Sequence, residues 1–102
     1  MKISILLPYK ENFSPDYPGA VSIFVKDTTL LSKYKSNITV YGSTNYKKKL
    51  LKNYYNLPFK KELFQSSSQI YLDNFLKNEN KSSSDLIEIH NRPSYVNKIA
   101  EN

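Results

Sequence analysis

The amino-acid sequence predicts an α/β fold in which a Rossmann-like parallel sheet is flanked by helices. The compact apolar run Ile3–Leu7 lacks strict alternation, which is typical of a strand buried on both faces, and Ile38–Tyr41 predicts a second strand. The segment between them has a helical period and is long enough to connect parallel strands. A third run, Asp85–His90, is followed by another helical pattern. Strands that alternate with helices in this way indicate a parallel sheet.

The first strand is expected to end at Pro8, and the loop 9–18 follows. Its Asn, Ser, Asp and Pro residues favour turns over regular structure. A helix is expected over about Gly19–Lys35, with Lys33 and Lys35 in its last turn, where cations suit the helix dipole. Its apolar residues recur at spacings of three and four, which predicts one buried face made of Ala20, Val21, Phe24, Val25, Thr28, Leu30 and Leu31. The crossover to the second strand, which Gly42 closes, should be right-handed.

The middle of the chain gives weaker patterns. Tyr46–Tyr55 favours a helix with a lysine-rich outer face, and Leu57–Phe59 predicts a turn or a short extended piece around Pro58. Ser66–Asn80 is expected to be helical, with one of its first three serines as the N-cap. The candidate buried residues of that helix are Ile70, Leu72, Phe75 and Leu76.

The end of the chain again predicts a strand and a helix. Asp85–His90 is the expected strand, Asn91–Pro93 the turn, and Ser94 the N-cap of a helix starting at Tyr95. That helix would stop after about two turns and leave a sheet edge uncovered. We therefore expect residues 1–102 to be a single, incomplete Rossmann-like domain.

The composition excludes several kinds of site. The chain has no cysteine, so disulfides and cysteine-based zinc sites are ruled out, and the single histidine, His90, disfavours any metal site. Its two glycines, Gly19 and Gly42, cannot make the three-glycine fingerprint of nicotinamide and flavin sites. We expect no metal and no cofactor. The first apolar run is too short for a signal peptide or a membrane span, and a cytoplasmic location is expected.

The formal net charge is +6, and Arg92 is the only basic residue that is not a lysine. Base readout and phosphate clamps favour arginine, so we interpret most of the charge as solvated surface and expect no nucleic-acid partner. Attraction to anionic lipid or to a phosphorylated ligand is the functional alternative, which would allow peripheral contact with the inner face of a membrane.

The candidate site follows from the expected winding of the sheet. Ligands of open α/β sheets bind beyond the carboxyl ends of the strands, where the strand order reverses. If the first strand lies beside Leu86–His90, the loops after both strands face one crevice. The first loop carries Lys10 and leads to Gly19, where a helix N-terminus offers N–H groups to a phosphate. The second carries His90, Asn91 and Arg92.

For each of these residues a structural interpretation stays open. Gly19 could simply start a helix. His90, which could bind substrate or transfer protons, could instead bond a neighbouring loop. Arg92 could hold a phosphate or carboxylate, or form a surface ion pair with Glu11 or Glu88. No catalytic residue can be assigned, because no paired carboxylates, nucleophile elbow or Walker loop is visible.

Two patches resemble a known family. The segment 13–22, Phe-Ser-Pro-Asp-Tyr-Pro-Gly-Ala-Val-Ser, looks like the first loop of family-4 glycosyltransferases, and 86–93, Leu-Ile-Glu-Ile-His-Asn-Arg-Pro, looks like the strand end of their N-terminal domains. The resemblance implies the N-terminal part of a two-domain (GT-B) enzyme that retains anomeric configuration and needs no metal. Such enzymes transfer a sugar from a nucleotide-sugar to a glycan or glycolipid, as in polysaccharide and lipopolysaccharide synthesis.

The resemblance also implies roles for individual residues. Gly19 and Ala20 would lie near the donor's phosphates and sugar, and Lys10, His90, Asn91 and Arg92 would line the acceptor side of the cleft. Most of the donor would be held by a C-terminal domain that these residues do not include, so the chain alone is expected to be inactive.

One departure from the family pattern and two alternative functions remain. Many family members have two glycines where this chain has Pro18-Gly19, and proline offers no N–H to a phosphate. One alternative function is a basic nucleic-acid-binding module, favoured by nine tyrosines and the positive charge. The other is a different Rossmann-like enzyme or a non-catalytic remnant.

Overall fold

Four parallel strands form the centre of the fold in a computed structural model that describes residues 1–44, 46–57 and 66–100. In chain order the elements are β1 (Ile3–Leu6), α1 (Ala20–Leu31), a 3₁₀ turn (Lys35–Asn37), β2 (Ile38–Gly42), β3 (Tyr54–Asn56), α2 (Ser67–Ser82), β4 (Leu86–Ile89) and α3 (Pro93–Ala100). The α/β class with a parallel sheet and flanking helices is as the sequence predicts.

The strand order is β3-β2-β1-β4, so the chain winds outward from β1 and then returns to its other side. Ile3 is in register with Ile38 of β2 and with Leu86 of β4. The predicted adjacency of the first strand and the strand at 86–90 is therefore confirmed. Because all pairs are parallel, the carboxyl ends of the strands meet at one edge of the sheet.

The core consists of two layers, one on each face of the sheet. On the α1 face, β1 and β2 pack with Val25 of the helix and with Phe13 from the loop after β1. On the other face, Leu6 and Tyr41 pack with α2 and α3. Full burial of one such side chain stabilises the fold by about 1.5–3 kcal/mol. The buried members of the second layer are Leu6, Tyr41, Leu57, Tyr71, Leu72, Phe75 and Tyr95.

A buried carboxylate fastens the end of α2 to the sheet. Glu79 is 8% exposed, and its Oε1 accepts hydrogen bonds from the hydroxyls of Ser4 (2.6 Å) and Ser84 (2.8 Å). Its Oε2 accepts from the Ser84 backbone N–H at 3.1 Å. These three donors explain how a carboxylate is tolerated in the interior, since a buried charge needs hydrogen-bond partners.

The helix α1 is shorter than predicted and buries a different face. It ends at Leu31, because Ser32 is extended and its hydroxyl accepts from the Tyr34 N–H, so Lys33 and Lys35 lie beyond its last turn. Its buried residues are Ser22, Val25 and Thr29. The predicted face was wrong for Phe24, Leu30 and Leu31, which are 55%, 54% and 88% exposed. It was also wrong for Ala20 and Thr28, which are exposed as well.

The helix predicted over Tyr46–Tyr55 is also wrong. Residues 46–53 are irregular, and β3 begins at Tyr54. The backbone bonds that the loop makes are tertiary, since Leu50 N–H donates to Phe13 O and Val40 N–H donates to Asn53 O. The turn predicted at Leu57–Phe59 falls partly outside the described residues.

The last two helices agree with the sequence in position. α2 is confirmed, and Ser66 is its N-cap, accepting from the Gln69 N–H at 3.2 Å. α3 begins at Pro93, so Ser94 lies inside the helix. The prediction that Ser94 is the N-cap was therefore wrong. Proline suits the first helical position because its missing N–H would have no partner there. Among the described residues, no helix combines the length and the apolar character that crossing a membrane requires.

Candidate functional site

The loop after β1 and the turn after β4, between which the sequence predicts a crevice, both leave the carboxyl edge of the sheet. Leu6 and Ile89 are partners in the register, so the two segments leave neighbouring strands about 4.8 Å apart. Each segment contains a non-glycine residue in the left-handed region: Lys10 has a φ of 66° and Asn91 a φ of 55°. This conformation is uncommon for side-chain-bearing residues and costs free energy. The two candidates on the opposite sides of the crevice thus share a constrained backbone.

The side chain of Glu11, in the loop that precedes α1, bonds the N-terminus of that helix. Glu11 Oε2 accepts hydrogen bonds from the backbone N–H of Ser22 (3.0 Å) and from its hydroxyl (2.8 Å). A Cβ at Gly19 would overlap this carboxylate, whereas the φ of −73° at Gly19 suits any residue. A side chain at position 19 would therefore displace the Glu11 carboxylate from the N-terminus of α1. Gly19 and Ala20 do start the helix as expected, but a donor phosphate at this position would have to displace Glu11.

Replacing Glu11 by alanine is expected to lower the free energy of unfolding by about 1 kcal/mol, because the replacement removes the cap from α1. It should also strengthen the binding of inorganic phosphate, since the helix N-terminus loses its internal anion. Urea denaturation and a phosphate titration followed by NMR measure the two effects. Asp16→Ala, an exposed carboxylate of the same loop, is the matched control. Unchanged phosphate binding by Glu11→Ala would exclude α1 as a phosphate site.

His90 packs against α1. Its ring packs edge-on against Phe24 of α1, with ring centroids 5.8 Å apart, and its side chain is 16% exposed. Nε2 lies 3.1 Å from Glu88 Oε1, close enough for an ion pair, but without hydrogen-bond alignment. The contact is with a neighbour on the same strand face rather than with a loop.

The two cations of the site lie on the exposed rim. Arg92 donates from Nη1 to the carbonyl of Asn91 at 2.7 Å, and Lys10 Nζ lies 5.6 Å from the centre of the Tyr9 ring. In the described residues neither cation is within ion-pair distance of a carboxylate. The ion pair of Arg92 with Glu11 or Glu88, left open by the sequence, is not formed. Both charges are available to a ligand.

Three tyrosine rings, Tyr9, Tyr71 and Tyr95, pack near the end of β1, and Tyr71 and Tyr95 are buried members of the core. The sequence did not single them out. Tyr71 donates its hydroxyl to Leu7 O, at the end of β1, at 2.6 Å. Its ring lies 5.5 Å from that of Tyr9 and 6.4 Å from that of Tyr95. Burial raises the pKa of Tyr71 above its ordinary value, and Tyr54 and Tyr95 raise it further, so its phenol stays neutral. The signal was present as an apolar run, Ile70-Tyr71-Leu72, within a predicted helix.

Metal ligation and known relatives give no further guide to the site. In the parts of the chain that the structure describes, no three His, Cys, Asp or Glu side chains come together as a metal site would need. Comparison of the chain with models of protein families, with curated proteins and with solved structures finds no match. What can be said of function rests on the crevice itself.

Proposed function

We propose that this chain forms the acceptor-side domain of a retaining, nucleotide-sugar-dependent glycosyltransferase of cell-surface polysaccharide or lipopolysaccharide synthesis. One observation carries the proposal: the strand order reverses at β1, and the loops after β1 and β4 lie side by side there. Open parallel sheets bind nucleotides and sugars at such a point. The two patches that resemble family-4 glycosyltransferases supply these same two segments.

The chemistry of the crevice fits an anionic substrate. Lys10 and Arg92 present positive charge from opposite sides, and an enzyme of this kind needs such charge to stabilise the diphosphate that leaves the donor. In this proposal Gly19 and Ala20 approach the donor once Glu11 moves. Asn91 and Arg92 hold the acceptor next to the donor's diphosphate, so the charge of Arg92 acts on both substrates. His90 lies against Glu88, so in this proposal its main role is to orient the end of β4 rather than to contact the sugar.

A membrane-bound acceptor would also account for the positive charge of the lysines in the segment 47–52. A glycolipid acceptor would be presented at a membrane surface, and Lys47, Lys48 and Lys52 are exposed and form no ion pair with a carboxylate of the described residues. Each lysine near an anionic membrane contributes about 1 kcal/mol of attraction. We therefore include peripheral contact with anionic lipid in the proposed function and place the enzyme at the cytoplasmic face.

The proposal is tested by titrating the isotope-labelled 102-residue chain with UDP-glucose and GDP-mannose and following backbone amide resonances. We expect chemical-shift changes at Lys10, Gly19 and Asn91, with weak affinity, because most of the donor is held by a second domain in enzymes of this type. We expect no sugar transfer or hydrolysis above background by the chain alone.

Two controls separate the alternatives. Arg92→Gln should weaken nucleotide-sugar binding, whereas Lys35→Gln, a lysine at the amino edge of the sheet, should not. A random oligonucleotide at low salt tests the nucleic-acid alternative. Tight, salt-dependent oligonucleotide binding together with no response to either nucleotide-sugar would overturn the proposed function.

A further inference from the structure

An exposed tyrosine lies at the tip of a loop whose base is anchored in the core. Tyr17 is 81% exposed, and its backbone is left-handed, with a φ of 52°. This conformation is uncommon for an aromatic residue and costs free energy. Phe13 is fully buried, and the Gly19 N–H donates to the Asn12 carbonyl at 3.2 Å, so both ends of the loop are held. The loop is therefore fixed in a conformation that presents an aromatic side chain to solvent.

A second segment packs on this loop and forms one surface with it. The centre of the Tyr46 ring lies 6.3 Å from that of Tyr17. The backbone N–H of Leu50 donates to the Phe13 carbonyl at 3.3 Å, which connects the segment 46–53 to the base of the loop. Tyr17 and Tyr46 are thus held side by side before any partner binds, and this lowers the entropy cost of binding.

Two exposed lysines follow Tyr46 directly. Lys47 and Lys48 form no ion pair with a carboxylate of the described residues. Consecutive Cα atoms are about 3.8 Å apart, so both side chains begin within about 8 Å of the Tyr46 Cα. Lys49 does not add to their charge at the surface, because its Nζ donates to the Tyr46 carbonyl and lies 5.1 Å from the centre of the Tyr54 ring.

Tyr17, Tyr46, Lys47 and Lys48, here called the tyrosine–lysine surface, have the chemistry of a membrane interface. Tyrosine favours the headgroup region of a bilayer, which accommodates both an apolar ring and a polar hydroxyl. Lysines are attracted to anionic lipid, and this attraction needs no bidentate geometry of the kind that arginine provides. Asp16 is a neighbouring carboxylate, but the two lysines outnumber it.

We propose that the tyrosine–lysine surface docks the protein on an anionic membrane, with Tyr17 inserted among the lipid headgroups. The inference deepens the proposed function and rests on it in one respect, that the acceptor is a glycolipid. It adds the orientation of the protein on the membrane. The loop 9–18 carries both Lys10 and Tyr17, so docking through Tyr17 brings the crevice to the lipid surface, where a glycolipid reaches it without leaving the membrane.

Vesicle binding tests this surface. The 102-residue chain is mixed with vesicles of phosphatidylcholine and phosphatidylglycerol, or of phosphatidylcholine alone, and the bound protein is measured by sedimentation. We expect binding to the anionic vesicles only, and it should decrease as salt is added. The double replacement Lys47→Gln and Lys48→Gln should weaken it about thirtyfold. Tyr17→Ala should weaken it about fivefold, because part of one aromatic side chain is no longer buried in lipid.

Matched controls lie at the amino edge of the sheet. Tyr34 is 37% exposed, and the Nζ of Lys33 lies 5.1 Å from the centre of its ring, so the same kinds of side chain are present there. Tyr34→Ala, and the double replacement Lys33→Gln and Lys35→Gln, should weaken vesicle binding far less than the corresponding changes in the tyrosine–lysine surface.

Insertion of Tyr17 has a spectroscopic signature of its own. The chain has no tryptophan, so Tyr17→Trp and Tyr34→Trp each introduce a single indole. On anionic vesicles the fluorescence of Tyr17→Trp should shift to shorter wavelength and be quenched by bromine-labelled lipid. The fluorescence of Tyr34→Trp should show neither effect.

The outcomes separate this inference from the proposed function. Equal vesicle binding by Tyr17→Ala and the parent chain, quenching of Tyr34→Trp in place of Tyr17→Trp, or oligonucleotide binding through Lys47 and Lys48 that is tighter than vesicle binding would each overturn the docking surface. Vesicle binding through Tyr17 with no response to nucleotide-sugars would support the surface and contradict the glycosyltransferase. A response to nucleotide-sugars with no vesicle binding would support the glycosyltransferase and overturn the surface.

Discussion

Replacement of Phe13 by alanine is expected to lower the free energy of unfolding by about 3–5 kcal/mol, the usual loss for a buried phenylalanine. Phe13 is fully buried, although it belongs to an irregular loop, and its ring stacks on Tyr54 with centroids 5.2 Å apart. Its carbonyl also accepts the backbone N–H of Leu50 at 3.3 Å. The side chain therefore anchors the loop after β1 and the irregular segment before β3 on the same core layer.

Urea denaturation of the two proteins measures this loss. Phe24→Ala is the matched control, because Phe24 is 55% exposed and its truncation should cost less than about 1.5 kcal/mol. Since Phe13 holds the loop that carries Lys10 and Glu11, Phe13→Ala should also weaken any ligand binding in the crevice. Equal losses of stability in the two variants would show that the loop is not part of the core.

Replacement of Glu79 by alanine is expected to lower the free energy of unfolding by about 3 kcal/mol. The change removes the acceptor of three hydrogen bonds and leaves the hydroxyls of Ser4 and Ser84 to bond each other inside the protein, while the Ser84 N–H loses its partner. Hydrogen bonds to a charged group contribute about 1.5–3 kcal/mol, and bonds that share one group do not add fully.

The dependence on Glu79 is measured by thermal and urea unfolding. Glu79→Gln keeps one carbonyl acceptor and should lose less than Glu79→Ala. Asp27→Ala removes a carboxylate that is 57% exposed in a surface ion pair with Lys26, and it should change stability by less than about 1 kcal/mol. If Glu79→Ala were as stable as Asp27→Ala, the fastening of α2 to β1 by this carboxylate would be refuted.

The sequence predicted most of the strands for a simple reason. β1 and β2 are mainly apolar runs that are almost entirely buried, and such runs are visible without a structure. β4 was also predicted from its sequence, although as an edge strand it is exposed or half-buried along its length. α2 was predicted because serine caps and a helical period are local signals. The position of α1 was predicted, but its length and its buried face were not. The helix has more apolar residues than the sheet can cover, so the spacing of these residues does not show which face is buried. Phe24 and Leu31 remain exposed.

The segment before β3 shows where local pattern fails. Tyr46–Tyr55 has helical spacing and many lysines, yet its backbone bonds go to Phe13 and Val40, residues distant in the chain. Pairing with β2 and burial of Leu50 and Leu51 against the first core layer outweigh a weak helical preference. Neither partner is recognisable from the segment itself.

For the candidate site, the sequence determined the winding that brings the loops after β1 and β4 together, because strand order follows from βα units and apolar runs. It also placed Lys10, Gly19, Asn91 and Arg92 at that edge. The tertiary structure decided which groups meet there: the Glu11 carboxylate bonds the N-terminus of α1, His90 lies against Glu88 and Phe24, and Tyr71 bonds the end of β1 from within the core. The physical reason is range. Periodicity and turn chemistry act between near neighbours, whereas hydrogen bonds and ring contacts depend on how whole elements pack.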